Sequence, residues 1–242
     1  MAAVVSTLWY VDAPDPAAVL RNSTPDRDTA HALLARLYPD RHATVGGRAT
    51  LAQVAAGMGP DDAEFDDNTV FVGSFPGVTV VCSRDLVHRR PSAVGEDWLH
   101  TLASENTYLI VSDAAGGWGS FGAWERGTLR RAFGAGAIEF YEDEGIPFVW
   151  ERPYWSGQHP MRWPAGSVPH PEALPFHPRR LVEAANAAWL GFRYVGRAGD
   201  EPEAGDIDVW SFTLHPPGEP APTAAPTAQQ TTRPWWRRAV GL

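Results

Sequence analysis

The chain divides at Pro216. From there to Thr232 it reads PPGEPAPTAAPTAQQTT, with one charge and no aromatic residue. Such a Pro/Ala/Thr stretch buries too little apolar surface to offset the entropy of ordering it, so the expectation is a disordered, extended linker. The chain then closes on Arg-Pro-Trp-Trp-Arg-Arg-Ala-Val-Gly-Leu, residues 233–242. Folding is thereby assigned to residues 1–215 as a single globular domain, with 216–232 as linker and 233–242 as a Trp/Arg-rich terminal peptide. An apolar share of 44%, with 11 Trp, 10 Phe and 6 Tyr, is enough for a core in a domain of that size.

Charge and composition remove several function classes. The formal net charge is −9. The tail carries Arg233, Arg237 and Arg238 against Glu219, so the body is more acidic than the whole. That argues against nucleic-acid binding, which depends on neutralising phosphates. All 20 Lys+Arg residues are arginine. Without lysine there is no pyridoxal-phosphate Schiff base, no Walker P-loop lysine and no protein-kinase lysine. Cys82 is the one cysteine, which excludes an internal disulfide, a thiolate zinc cluster and a CxxC redox pair. No apolar run approaches the ~20 residues that span a bilayer, and no signal-like segment opens the chain. A cytoplasmic protein is expected.

Local patterns predict a mostly antiparallel α+β fold with helices packed on one side of the sheet. Val4–Val11 reads as a buried strand, ended by Pro14 and Pro16. Thr24-Pro25-Asp26 offers a helix start, with Ala30, Leu33, Leu34 and Leu37 on one face up to Leu37. A short helix is expected over 51–56. Thr69–Phe75 and Val78–Cys82 flank the Pro76-Gly77 turn as a hairpin. Pro91–Ser104 reads as a helix, and Thr107–Val111 as a strand. Residues 118–124 and 128–133 form a second hairpin, followed by a strand at 138–141. Pro178–Leu190 is a helix with Leu181, Ala184, Ala185, Ala188 and Trp189 on its apolar face. Phe192–Val195 and Val209–Leu214 read as closing strands.

No catalytic motif emerges. Cys82 ends an apolar strand, which suits core packing. Gly73-Ser74-Phe75-Pro76-Gly77 fits a hairpin turn better than a nucleophile elbow. Asp61, Asp62, Glu64, Asp66 and Asp67 lack the order of a calcium loop and read as a solvated charge run. Glu139, Glu142, Asp143 and Glu144 fit a surface turn. The glycines of 114–119 follow a strand, yet no GxGxxG or helix start accompanies them, so no nucleotide cofactor is expected. His159, His170 and His177 share one Pro-rich segment and are candidate metal ligands with Glu151 or Glu172, although no helical ligand spacing supports them. His177 before Pro178 equally suits a helix start. Trp150, Tyr154, Trp155 and Trp163 alternate with prolines; they form either a coat over the core or a groove for a ligand or peptide.

Arg36-Leu-Tyr-Pro39, Phe75-Pro-Gly-Val-Thr-Val-Val-Cys82, Pro153-Tyr-Trp-Ser-Gly157, and Leu174-Pro-Phe-His-Pro178 leading to Gly191-Phe-Arg-Tyr194 together resemble an actinobacterial family of unknown function made of single-domain proteins. The resemblance spans most of residues 1–214 and leaves the tail outside. It implies an intracellular setting and one domain. It implies no activity, cofactor or catalytic residue.

Two functional expectations follow. The first is a non-enzymatic interaction protein whose terminal peptide, through Arg233, Trp235, Trp236, Arg237 and Arg238, docks to a protein partner, since Trp and Arg dominate interface hot spots. A free solvated terminus and a weak anchor on anionic lipid are the alternative readings of that peptide. The second is an enzyme or small-ligand-binding protein with its site in segment 150–177. Partner identity and oligomeric state are not encoded in any pattern found.

Overall fold

The computed structural model describes residues 4–57, 65–162, 166, 170–195, 199 and 201–217. The tail residues Arg233, Trp235, Trp236, Arg237 and Arg238, the candidate Trp163, and Asp61, Asp62 and Glu64 of the acidic run lie outside them. Among the described residues nine strands form one antiparallel sheet: β1 (Val4–Val11), β2 (His42–Thr50), β3 (Thr69–Phe75), β4 (Val78–Cys82), β5 (Asn106–Asp113), β6 (Trp118–Glu125), β7 (Thr128–Ala135), β8 (Phe140–Gly145) and β9 (Asp208–His215). Their order across the sheet is β2-β9-β3-β4-β1-β5-β6-β7-β8. The helices are α1 (Pro16–Asn22), α2 (Arg27–Leu37), α3 (Leu51–Ala55), α4 (Glu96–His100), α5 (Arg152–Trp155) and α6 (Pro178–Leu190). No helix among the described residues is long and apolar enough to cross a membrane.

β1 lies at the middle of the sheet, and the expected hairpins β3–β4 and β6–β7 are present. Gly77, at φ +71°, turns the first. Arg126 and Gly127, both at positive φ, turn the second, as a tight hairpin that matches strand twist requires. β9 comes last in the chain yet inserts between β2 and β3.

The helices cover both faces, not one as expected. The reason lies in the strands. Side chains alternate across a strand, and here both parities are apolar. Trp9 and Val11 of β1, Phe71 and Phe75 of β3, and Val78, Val80 and Cys82 of β4 join one core layer, with residues of α1, α3 and α6. Leu8 and Tyr10, Val70 and Val72, and Val81 join the opposite layer, with Ala30, Leu33 and Leu34 of α2 and Leu99 of α4. A sheet apolar on both sides needs both covered.

Other departures have local causes. The α2 cap is Asp26, whose carboxylate accepts the Thr29 N–H at 2.6 Å, two residues beyond Thr24, the cap expected with Pro25 at the first helical position. Gly95 sits before α4 and splits the expected 91–104 helix into a short 3-10 turn at Pro91–Ala93 and α4. Residues 192–195 form no strand; Arg193 makes an isolated bridge with Glu203. β2, mostly polar and bulged between Val45 and Arg48, is an exposed edge strand that no hydrophobic alternation marks.

One buried ion pair ties the 146–157 segment to the sheet. Arg131 on β7 and Glu151 are both 0% exposed. Arg131 Nε donates to Glu151 Oε1 and Nη2 to Oε2, each at 3.0 Å. Glu151 also accepts from Phe148 N at 3.0 Å and Trp155 Nε1 at 3.1 Å. Arg131 Nη1 donates to Asp143 Oδ1 at 2.5 Å on neighbouring β8. The pair is closely satisfied, which is what makes burial of two charges tolerable. Glu151→Ala leaves the arginine buried beside its half-exposed second carboxylate, and is expected to lower unfolding free energy by about 3–5 kcal/mol. Chemical denaturation reads this, and the double variant Arg131→Met/Glu151→Leu is expected to lose less than the single. An unchanged midpoint for Glu151→Ala would show the pair to be dispensable.

Candidate functional site

α6 begins at Pro178, whose fixed φ and absent N–H suit the first helical position. It ends at Gly191 in the left-handed region, φ +70°. Leu181, Val182, Ala185 and Leu190 bury one stripe in the core. The helix lies on β5 and β6, and approaches β6 closely at Gly119, where a Cβ would come within 2.7 Å of Val182 Cγ2. Beside the apolar stripe runs a polar seam at helical spacing: Arg179, Glu183 and Asn186.

That seam faces a cavity of about 260 Å³, bounded by β1, β5, α3, α6 and residues 194–195. Val5, Ala55, Ile110 and Val182 are among its apolar walls. Its polar lining comes from Ser112, Arg179, Glu183, Asn186 and Tyr194. Arg179 Nε donates to Ser112 Oγ at 3.0 Å. Among the described residues Arg179 forms no ion pair. Glu183 Oε2 accepts the Tyr194 N–H at 3.1 Å. Burial pushes the Glu183 carboxyl upward, opposed by that backbone bond and by Arg179 and Arg193.

Two of the lining residues also carry a polar atom closed off inside the protein without a partner: Asn186 Oδ1 and the Tyr194 hydroxyl. Asn186, 1% exposed, uses its Nδ2 to reach Phe192 O at 2.7 Å, which leaves the carbonyl oxygen over. Tyr194 OH lies near Thr7 and Cys82 without a hydrogen bond of ordinary geometry; burial above all holds its pKa well above that of a free phenol. An unsatisfied buried polar group costs about 1–3 kcal/mol.

The aromatic candidates sit elsewhere and pack on neighbouring rings. Trp150 packs on Phe121 and Trp189. Tyr154 stacks on His159 and meets Phe176 edge-on. Trp155 packs on Phe133, Phe140 and Phe176. None of the three lines the cavity.

The three histidines are not brought together as ligands. Among the described residues no group of three or more His, Cys, Asp or Glu is placed to hold a metal ion. His159 lies against Tyr154, His170 Nδ1 accepts the Glu172 N–H at 3.2 Å, and His177 caps α6. Glu151 is taken by Arg131. The acidic group of β8 disperses likewise: Glu142 accepts from Ser92 N at 3.0 Å and Asp143 binds Arg131. Cys82 is buried, its thiol pushed up to about 12 by desolvation, and serves as a core side chain. The 114–119 glycines turn β5 into β6. The polar seam of α6 was the missed signal. Its residues are three and four apart, but the cavity opposite them comes from distant β1, α3 and β5.

A two-faced antiparallel sheet with a small, largely apolar cavity under one helix is thus the class of protein defined here. The chain belongs to a family of unknown function, DUF6928, whose model matches residues 5–212. No curated protein and no solved structure matches it. The matched span contains every cavity residue named above, and the tail lies beyond it.

His177 gives the site a pH dependence. Its Nδ1 accepts the Arg179 N–H at 3.3 Å, a role open only to an unprotonated nitrogen. Burial, then Arg179 and Arg180, push its pKa below 6.5. A depressed folded-state value favours the neutral form on folding. The resulting stability is complete above the unfolded value and is lost as pH falls through the folded one. Melting temperature is therefore expected to drop more between about pH 7 and about pH 5 in the wild type than in His177→Asn, whose amide caps without titrating. Parallel pH profiles would remove His177 from the account.

Proposed function

We propose that this domain binds a small molecule in the cavity beneath α6. The observation that carries the reading is one largely apolar cavity into whose wall a single helix sets Arg179 and Glu183. Binding sites combine apolar walls with a few placed polar groups in this way. The expectation of a ligand-binding protein is kept, while its place moves from segment 150–177 to α6, β5 and α3. The test uses the full chain in a thermal-shift screen of small metabolites. At least one compound is expected to raise the melting temperature of the wild type and to have no effect on Ala55→Phe, which fills the cavity with a ring. A screen with no compound sensitive to Ala55→Phe would end the proposal.

A second reading concerns the tail and stands on its composition alone. We propose that Arg233, Trp235, Trp236, Arg237 and Arg238 dock to a protein partner from the end of the Pro/Ala/Thr linker. A pull-down is expected to recover the partner with the full chain and to lose it with the 1–215 truncation. Equal recovery would exclude the tail as the docking element. Binding of the full chain to anionic vesicles, lost on truncation, would favour a lipid surface instead.

A further inference from the structure

The cavity wall carries one positive and one negative side chain that do not satisfy each other. Arg179 and Glu183 stand one turn apart on α6, a spacing at which opposite charges usually pair. Both line the cavity, yet among the described residues Arg179 makes no ion pair. Its Nε is spent on Ser112, and an arginine has four further N–H donors on its terminal nitrogens. It also lies in the first turn of α6, where the helix dipole adds to the attraction for an anion. One turn on, Glu183 accepts from the backbone amides of Tyr194 and Val195, and a carboxylate has lone pairs beyond those bonds. The order along the wall is therefore cation then anion, with Val5, Ala55, Ile110 and Val182 as the apolar remainder.

We infer that the cavity takes a free amino acid with a small apolar side chain, its carboxylate on Arg179 and its ammonium on Glu183. The assignment rests on the cavity being a ligand site. A simple carboxylic acid would use Arg179 but would meet Glu183 with like charge. An amine would use Glu183 but would leave Arg179 without a partner. A zwitterion answers both. The volume of about 260 Å³ lies just under the ~300–1,000 Å³ of drug-sized sites. That suits a side chain of the size of valine, leucine or methionine.

Titration calorimetry of the full chain with L-valine, L-leucine and L-methionine tests this, together with leucinamide, which lacks the carboxylate, and N-acetyl-leucine, which lacks the ammonium. At least one of the three amino acids is expected to bind. Blocking either end of leucine is expected to cost about 10- to 100-fold in affinity, the usual size of one charged hydrogen-bonding contact. Arg179→Met and Glu183→Gln are each expected to lose a similar factor. Binding of a blocked derivative as tight as that of the free amino acid, or no binding by any of the three, overturns the inference. The comparison of ligands needs no variant, so it holds even if a substitution unfolds the chain. Neutral or singly charged compounds that bind and are lost in Ala55→Phe would sink the amino-acid assignment while leaving the cavity as a ligand site.

Discussion

A sheet whose central strands are apolar on both sides has no face it can leave to water. β4 is buried along its whole length and β3 nearly so. At roughly 25 cal/mol per Å² of apolar surface, uncovering either layer would cost far more than a domain's marginal stability. The helices are thus distributed by the strands rather than by their own preferences. α2 and α4 close one layer; α1, α3 and α6 close the other. α6 can lie close on β6 because Gly119 presents no side chain beneath Val182. The cavity arises on the other flank of α6, where alanines of α3 are too small to fill the space between helix and sheet.

The sheet's far end uses a different device. Beyond β6 the first layer passes from aliphatic residues to rings, with Phe133, Phe140, Trp155 and Phe176 in mutual contact. Rings give large burial but set few positions on their own, since an edge-on and a tilted packing differ little in energy. The Arg131–Glu151 pair supplies the missing register. A two-point contact between planar groups fixes direction as well as distance, and the same carboxylate holds Phe148 N and Trp155 Nε1. Non-periodic sequence from Ile146 to Gly157 is therefore ordered by one charged anchor under a coat of rings.

How much of this is legible in the sequence depends on the range of the contacts. β1 and α6 were readable to their end residues, because a β-branched run and a Pro-to-Gly helix with an apolar stripe are local signals. The β3–β4 and β6–β7 hairpins carry their turns in Pro76-Gly77 and Glu125-Arg126-Gly127. α1 was hidden by Pro14 and Pro16, read as a break although Pro16 is the first residue of a helix capped by Asp15. β2 was hidden because an edge strand needs no apolar face; His42–Thr50 pairs with β9, more than 150 residues away in sequence. The two-sided coverage is written locally in the unalternating VTVVC of β4, a run with no polar side to turn to water. The cavity was the least legible feature. Arg179, Glu183 and Asn186 are visible as a seam, but whether a seam faces solvent or a hole depends on what α3 and β5 place opposite it.

That difference matters for separating stability from function. Arg131 and Glu151 are polar and buried, yet every strong donor and acceptor between them is used; they explain themselves as architecture. Asn186 and Tyr194 do not. Asn186 spends one half of its amide on Phe192 O and leaves the other half unpaired. An apolar side chain of like volume would leave Phe192 O without its donor, so the amide nitrogen has an architectural use, while the oxygen only adds a desolvation penalty. The folded state alone thus has little use for the spare oxygen. The same reasoning applies to the tyrosine hydroxyl, which a phenylalanine would dispense with. Both residues belong to the lining that also holds Arg179 and Glu183, so this cost falls next to the cavity and not at the Arg131 anchor.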